Sequence, residues 1–457
     1  MATVKESASP LSASSVRAPG PASWLPGGQL FHFRRDPLQF MTNLRRDYGD
    51  VARFRIGPQG AFLLGHPDYI RDVLVTNQES FVKGRALQRA KRLLGEGLLT
   101  SENPLHRRQR RLAQPAFHRQ RIAAYADVMV ACADRISARW QDEQTLDIAR
   151  EMSLLTMAII GKTFFDHDVE AEADEIGAAL TEIMRLFQML MLPYSELLER
   201  LPLPANRRFR QARERFDELI YRMIREHRRS GDRGDLLSML LSAQDEETGG
   251  AGMSDEQVRD EALTIFLAGH ETTANALAWT WYLLAQHAEV EAKLHDEVDR
   301  VWKTDAQLSA ASVSQLPYTE MVLTEAMRLY PPAWVLGRLA VKDTEVGGYA
   351  IPVGSLVLMS QWVVQRDERY FPDPLRFLPE RWTAEARTAL PQFAYFPFGG
   401  GARRCIGENF AWTEGVLLIA ALGKDWRFKF AQNQKIETQP RITLRPKNGI
   451  QMILERR

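Results

Sequence analysis

The chain has 457 residues, 45% of them hydrophobic and 26% charged, with 29 glycines, 23 prolines and two cysteines. These proportions are those of a folded globular protein and exclude disordered, collagen-like and low-complexity chains. With 59 Lys plus Arg against 58 Asp plus Glu, a net charge of +1 gives no whole-molecule attraction to nucleic acid or to an anionic membrane. Cys132 and Cys405 are too few for a disulfide framework, so free thiols and a cytoplasmic protein are expected. No window approaches the roughly 18 uninterrupted apolar residues of a membrane helix, and the start of the chain lacks the pattern of a signal peptide. Length alone would allow about three domains.

Residues 1–28, rich in Ala, Ser, Pro and Gly, read as a flexible arm. VARFRIGPQGAFLLGHP alternates around Phe54 and Ile56, breaks at Gly57-Pro58-Gln59-Gly60 and resumes at Phe62, which predicts a strand, a turn and a strand. From Pro67 to about Ala340 the pattern is helical, with apolar residues at three and four spacing through Met152 to Phe165, Ile176 to Leu192, Phe216 to Ile224 and Val258 to Leu284. After Pro331-Pro332 short β-like runs follow, Val346 to Ile351 and Leu356 to Ser360, then the Pro-rich stretch FPDPLRFLPERW. One helix is expected after Gly407, and Asn448-Gly449 in ITLRPKNGIQMIL is a hairpin signal. The fold class is mainly α with minor β-sheets near both ends.

The most informative segment is FPFGGGARRCIGENFA, Phe396 to Ala411. Glycines before a lone cysteine free the backbone to adopt positive φ and to approach a flat ligand. The helix that follows favours a thiolate through its N-terminal dipole. A thiolate there is a metal ligand or a nucleophile, but taken alone an isolated cysteine reads first as a buried structural thiol. A phosphate loop fails, because no Lys-Ser or Lys-Thr follows the glycines. Within ALTIFLAGHETTANALAWTWYLL, Ala268 and Thr272 stand four apart on one helix face, so the Thr272 hydroxyl can bond the Ala268 carbonyl. Gly269 and Glu271 both break helix-core rules there. Taken alone, Gly269 reads as a close-packing site and Glu271 as a solvent-facing carboxylate.

Phe398, Gly401, Arg403, Cys405 and Gly407 match F-x-x-G-x-R-x-C-x-G, and the chain thereby resembles the cytochrome P-450 superfamily of bacterial, soluble haem-thiolate monooxygenases. The resemblance implies that Cys405 is the axial thiolate of haem iron, that Phe398 packs near the sulfur, that Arg403 faces a haem propionate, and that Gly407 belongs to the same loop. The string from Ala268 to Thr273 is similar to the family's oxygen-activation motif, which makes Glu271 and Thr272 the catalytic proton-delivery pair and Ala268 a cofactor contact. Glu325 and Arg328 in TEAMRLYPP resemble the family's E-x-x-R, with Arg381 of Pro379-Glu380-Arg381 as the third member of a structural cluster. For the second propionate the resemblance points to His106, Arg110 and Arg338. The family commonly carries Trp where this chain has His106.

The resemblance implies one triangular domain over residues 29–457 that clamps haem b between the Ala268 helix and the Cys405 loop. It further implies insertion of one oxygen atom from O2 into an apolar substrate, by hydroxylation or epoxidation. No further Cys cluster and no G-x-G-x-x-G after a strand is present for a fused electron donor. A separate ferredoxin or flavodoxin with its NAD(P)H reductase is therefore expected, and a monomer without a membrane anchor. Arg107, Arg108, Arg111 and Arg404 are candidates for a positive surface that steers this partner, whereas HRRQRR lacks the interleaved aromatics of a nucleic-acid patch. Pocket walls by family position are Leu87 to Leu93, Phe187 to Leu192, Leu263 to Thr272 and Ala333 to Leu336, with Phe187, Val335 and Leu336 as named contacts. A fatty acid is favoured over a terpenoid or steroid. The alternatives are a non-oxygenating or peroxide-using haem-thiolate enzyme and a haem sensor.

Overall fold

The computed structural model describes residues 16–22, 27–167, 204–304, 307–432 and 434–457. Phe187 and the run Ile176 to Leu192 lie outside the described residues. The strands are β1 (Val51–Ile56), β2 (Gln59–Leu64), β3 (Phe81–Lys83), β4 (Thr145–Asp147), β5 (Leu336–Ala340), β6 (Thr344–Val346), β7 (Tyr349–Ile351), β8 (Leu356–Met359), β9 (Trp426–Phe430), β10 (Thr438–Pro440), β11 (Leu444–Pro446) and β12 (Gln451–Arg456). The principal helices are α1 (Pro37–Tyr48), α2 (Arg85–Leu94), α3 (Leu105–Ala113), α4 (Arg119–Ser137), α5 (Ile148–Phe165), α6 (Pro204–Ser230), α7 (Leu236–Ser242), α8 (Asp255–Leu284), α9 (Ala288–Thr304), α10 (Pro317–Leu329) and α11 (Glu408–Asp425). They divide into two compact units, one within Met1–Arg89, Ala333–Leu375 and Ala389–Cys405, the other within Ala90–Pro332, Arg376–Thr388 and Ile406–Arg457.

The first unit is built on a five-stranded sheet of order β1-β2-β8-β5-β3. The expected strand, turn and strand is present, tightened to a two-residue connection at Gly57-Pro58 in which Gly57 takes φ +62°. Alternate residues of two neighbouring strands, Phe62 and Leu64 on β2, Val357 and Met359 on β8, point into one apolar cluster with Ile70, Val73, Leu74, Phe393 and Phe396. The described part of the expected arm lies against this unit: Val16 bridges Tyr349 and the Arg53 amide donates to the Pro19 carbonyl at 2.7 Å. A Cβ at Gly20 would meet the Arg53 carbonyl oxygen at 1.7 Å, so small residues there serve close approach to β1.

The second unit surrounds α8. This helix is apolar on nearly every side and is buried accordingly, and its start is fixed by a capping box between Ser254 and Gln257 with Asp255 and Glu256 in the first turn. Against it lies α5, close because a Cβ on Gly269 would come within 2.8 Å of Ile160 Cδ1. Glu297 of α9 accepts from the Tyr318 and Thr319 amides, both at 2.8 Å, and so caps α10.

The Asn448-Gly449 hairpin is corrected. β11 pairs with β10, whereas β12 lies between β4 and β9, so the turn carries the chain from one sheet to another. Asp147 diverts it: its carboxylate accepts from the Ile450 amide at 2.9 Å while also capping α5 at the Ala149 amide, 3.0 Å. The positive φ of Gly449, +73°, is real, but the ladder partners beyond it come from elsewhere in the sequence.

Candidate active site

The glycine run folds as close packing demands. Gly399 and Gly401 take φ of +71° and +67°. A Cβ on Gly401 would meet the Leu74 carbonyl oxygen at 1.9 Å, and one on Gly400 would meet the Phe393 ring at 2.4 Å. The segment thus lies directly on the apolar cluster beneath the sheet. The Cys405 amide donates to the Phe398 carbonyl at 3.0 Å and the Arg404 amide to the Gly401 carbonyl at 3.1 Å, which closes the loop. Cys405 is exposed and in no disulfide, while Cys132 is buried in α4. Arg403 is half-buried; Arg338 of β5 is half-buried, with Nη1 on the Gly337 carbonyl at 3.1 Å. Leu336 Cδ1 lies 3.5 Å from the Cβ position of Gly399, and Val335 is half-buried, while Trp334 is in the core.

In the second unit, burial along α8 is continuous from Val258 to Trp281 apart from Ala268, Gly269 and Thr272. These three positions share one side of the helix, and Thr272 Oγ1 donates to the Ala268 carbonyl at 2.6 Å. Leu263 and Phe266, included in the expected pocket wall, instead line an apolar cavity of about 20 Å³ with Phe165, Phe216, Leu219, Ile220 and Met223. At about 100° per residue, Leu263 stands on the opposite side of the axis from Thr272. His270 is buried, with Nε2 2.9 Å from Ser153 Oγ, and burial pushes its pKa down to about 4, so the ring is neutral. Glu271 does not face solvent. Its Oε1 accepts from Thr443 Oγ1 at 2.7 Å and from Arg445 Nη2 at 2.6 Å, while Oε2 is buried without a partner.

Glu325, Arg328 and Arg381 are brought together. Arg328 binds Glu325 with two donors, Nε to Oε2 at 2.7 Å and Nη2 to Oε1 at 2.8 Å, and both residues are 0% exposed. Arg381 Nε reaches Oε1 at 3.3 Å, Trp382 Nε1 donates to Oε2 at 2.9 Å and the Leu378 amide to Oε1 at 3.1 Å. On α3, His106 is buried and Arg110, one turn on, is half-buried. The expected positive surface is corrected at two of its members. Arg108 and Arg111 converge on Asp245, whose side chain is 0% exposed, at 3.2 and 2.8 Å, and Arg111 also reaches Glu247 at 2.9 Å. Arg108 Nη2 in addition donates to the Ala251 and Gly252 carbonyls at 2.9 and 2.8 Å. Half of the basic run therefore neutralises a buried carboxylate and fixes a loop; Arg107 is exposed.

A family model for cytochrome P450 matches residues 18–454. The chain belongs to the cytochrome P450 family. This P450 is 42% identical over 420 residues to cyclooctatin synthase of Streptomyces melanosporofaciens, covering 91% of each chain. It is 39% identical to cyclooctat-9-en-7-ol 5-monooxygenase of the same organism, over 90% of this chain and 89% of that protein. To pentalenene oxygenase of Streptomyces avermitilis it is 37% identical, over 88% of each. It is a cytochrome P450 monooxygenase with haem b as cofactor, in a family whose bacterial members normally draw electrons from redox partners. Among the described residues no helix is long and apolar enough to cross a membrane.

The residues present fit haem b. An accessible soft thiol ends a glycine loop whose backbone is held down on Leu74 and Phe393, and two arginines, Arg403 and Arg404, immediately precede that thiol in the sequence. On α8 the one interruption in burial has small side chains at Ala268 and Gly269, as a flat group lying against the helix requires. Sequence reasoning missed Thr443 and Arg445, which lie 172 and 174 residues from Glu271 and carry no local signal. It also missed Glu414 in the middle of α11, fully buried beside the Thr273 hydroxyl, where burial pushes the carboxyl up to about 8. A lone carboxylate in the apolar run WTEGVLLIAALG was the available signal, of the same kind that singled out Glu271.

Proposed function

We propose that this P450 inserts one oxygen atom from O2 into a terpenoid, with electrons delivered by a separate ferredoxin or flavodoxin and its NAD(P)H reductase. The observation that carries the substrate class is the trio of relatives at 37–42% identity over about nine-tenths of the chain, whose names point to terpenoids. This reverses the order drawn from the sequence, where a fatty acid stood first; the lack of an arginine in Gly57 to Leu64 to anchor a carboxylate agrees with the revision.

Cys405 would hold the iron of haem b, with Phe398 and Gly407 completing its loop, and His106, Arg110, Arg338 and Arg403 would bind the propionates. When bound, haem b supplies the dioxygen-activating chemistry. This chain's residues then supply protons and exclude water. Thr272 Oγ1, turned to the Ala268 carbonyl, sits on the open side of α8, and Glu271 Oε2 is the carboxylate oxygen free to carry a proton toward it. Val335 and Leu336 are substrate contacts. Glu325, Arg328 and Arg381 hold the irregular chain after Arg376 in place.

Two measurements on the holoenzyme test this. The dithionite-reduced, CO-treated protein should give the strongly red-shifted Soret band of a thiolate ligand, and Cys405→Ala should lose it; retention of the band in that variant overturns the ligand assignment. Titration with pentalenene should shift the Soret band by displacing water from iron, and palmitate should not. The opposite result returns the reading to fatty acids.

A further inference from the structure

We infer that Arg445 and Thr443, near the carboxyl terminus, are positioning residues for proton delivery: they hold Glu271 by one oxygen so that the other is left free. The inference rests on the reading of Glu271 and Thr272 given above and deepens it.

Three residues of α8 at four-residue spacing, Glu271, Asn275 and Trp279, form one stripe along the helix, and all three bind the segment from Thr443 to Arg445. Trp279 Nε1 donates to the Leu444 carbonyl at 3.0 Å, and Asn275 Nδ2 donates to Thr443 Oγ1 at 3.1 Å. The single hydroxyl hydrogen of Thr443 is thereby directed to Glu271 Oε1, 2.7 Å away. Asn275 and Trp279 fix the register of the segment, and the register places Arg445 Nη2 on the same carboxylate oxygen at 2.6 Å.

The ion pair is unusual in its asymmetry. Guanidinium and carboxylate commonly meet through two parallel hydrogen bonds, which satisfy both oxygens. Here both donors load Oε1, while Oε2 of Glu271 and Nε of Arg445 are buried without partners. A buried carboxylate oxygen left unbonded carries an uncompensated desolvation penalty. The arrangement orients the carboxylate through one oxygen and leaves the second without a donor, as the oxygen that would pass a proton on. The neighbouring His270 is neutral and engaged by Ser153, so it neither competes for the proton nor adds a second cation beside the carboxylate. The Glu271 side chain keeps 11% of its surface in water and the Arg445 side chain 26%, so the pair joins a largely buried carboxylate to a group that solvent reaches.

The test uses the full-length holoenzyme as wild type, Arg445→Met, Arg445→Lys, Thr443→Val, Glu271→Gln and Thr272→Ala, each admitted by its CO-difference band. With pentalenene as probe substrate, the product formed per NAD(P)H consumed should fall about tenfold in Arg445→Met, with KM within about twofold of wild type. Arg445→Lys should recover most of the ratio, and Thr443→Val should lie between. Wild-type coupling in Arg445→Met alongside uncoupling in Glu271→Gln overturns the positioning role and leaves the proton-delivery reading standing. Wild-type coupling in Glu271→Gln and Thr272→Ala overturns that reading itself. A second readout needs no substrate: in a thermal-unfolding cycle of Glu271→Gln and Arg445→Met, the double variant should melt no lower than the worse single variant. Additive losses in melting temperature overturn the pairing whatever the activity shows.

Discussion

Two buried carboxylates, each facing arginine, differ in how their oxygens are used. Glu325 has both oxygens filled: Arg328, Arg381, Trp382 and the Leu378 amide supply five donors. Glu271 has Arg445 and Thr443 on one oxygen and none on the other. The first is a closed cluster in which the charge has nothing left to do except hold the chain, since every lone pair that burial would penalise is engaged. The second leaves an oxygen without a donor, on the turn of the helix that also carries Thr272. The motif spacing of the two residues conveys neither state; their hydrogen bonds do.

If saturation marks a structural role, Glu325→Ala should be the most damaging of the carboxylate changes. It strands Arg328, which is 0% exposed, and should cost about 3–5 kcal/mol of stability, seen as loss of folded, haem-loaded protein and a depressed melting temperature. A smaller loss than that of Glu271→Gln would break the comparison. Asp245 extends it to a third carboxylate, saturated by Arg108 and Arg111 but closer to water, since Arg111 is 35% exposed. Asp245→Asn should cost about 1.5–3 kcal/mol by chemical denaturation, in the range of hydrogen bonds to charged groups, and should leave the coupling of NAD(P)H to product unchanged. A change in coupling would mean that saturation does not separate structural from chemical carboxylates.

Much of this was legible in the sequence, and the reason is distance along the chain. The strands of β1 and β2, the helices α5, α8 and α11, and the loop ending at Cys405 each rest on periodicity or on glycines within a dozen residues. The closing hairpin is not legible because Asn448-Gly449 describes a turn but not the ladder partners of the strands beside it, and Asp147, 303 residues away in the sequence, binds the Ile450 amide just beyond it. The role of Arg108 and Arg111 in the basic run of α3 is hidden from the sequence for a similar reason. Charges on a helix look solvated until a buried Asp245, more than a hundred residues away, is placed beneath them. Gly269 and Glu271 were seen to break the rules of a helix core, yet what satisfies them, Ile160 and Arg445, became visible only in the fold.

Glu414 sharpens the comparison from the other side, because it is as buried as Glu325 and neither of its oxygens completes a hydrogen bond. With no cation against it, burial favours the uncharged acid, and its pKa rises from 4.5 to about 8. The sign of the linkage follows. Between these values the unfolded chain has lost the proton and the folded chain keeps it, so this group's contribution to stability falls as pH rises from 4.5 to 8 and levels off above. Glu414→Gln preserves the shape and cannot ionise. Its melting temperature should match wild type near pH 4, below both values, and its stability should lose less as pH rises above 4.5, by up to about 1.4 kcal/mol for each pH unit in that window. Glu261, also pushed up to about 8 by burial, keeps a parallel slope of its own, with its Oε2 taking the Leu98 amide at 3.0 Å, so the variant's profile flattens without becoming level. An unchanged slope would mean that Glu414 is ionised in the fold. In that case an uncompensated buried charge would stand between α8 and α11, and saturation of the oxygens would no longer distinguish carboxylates that hold structure from those that move protons.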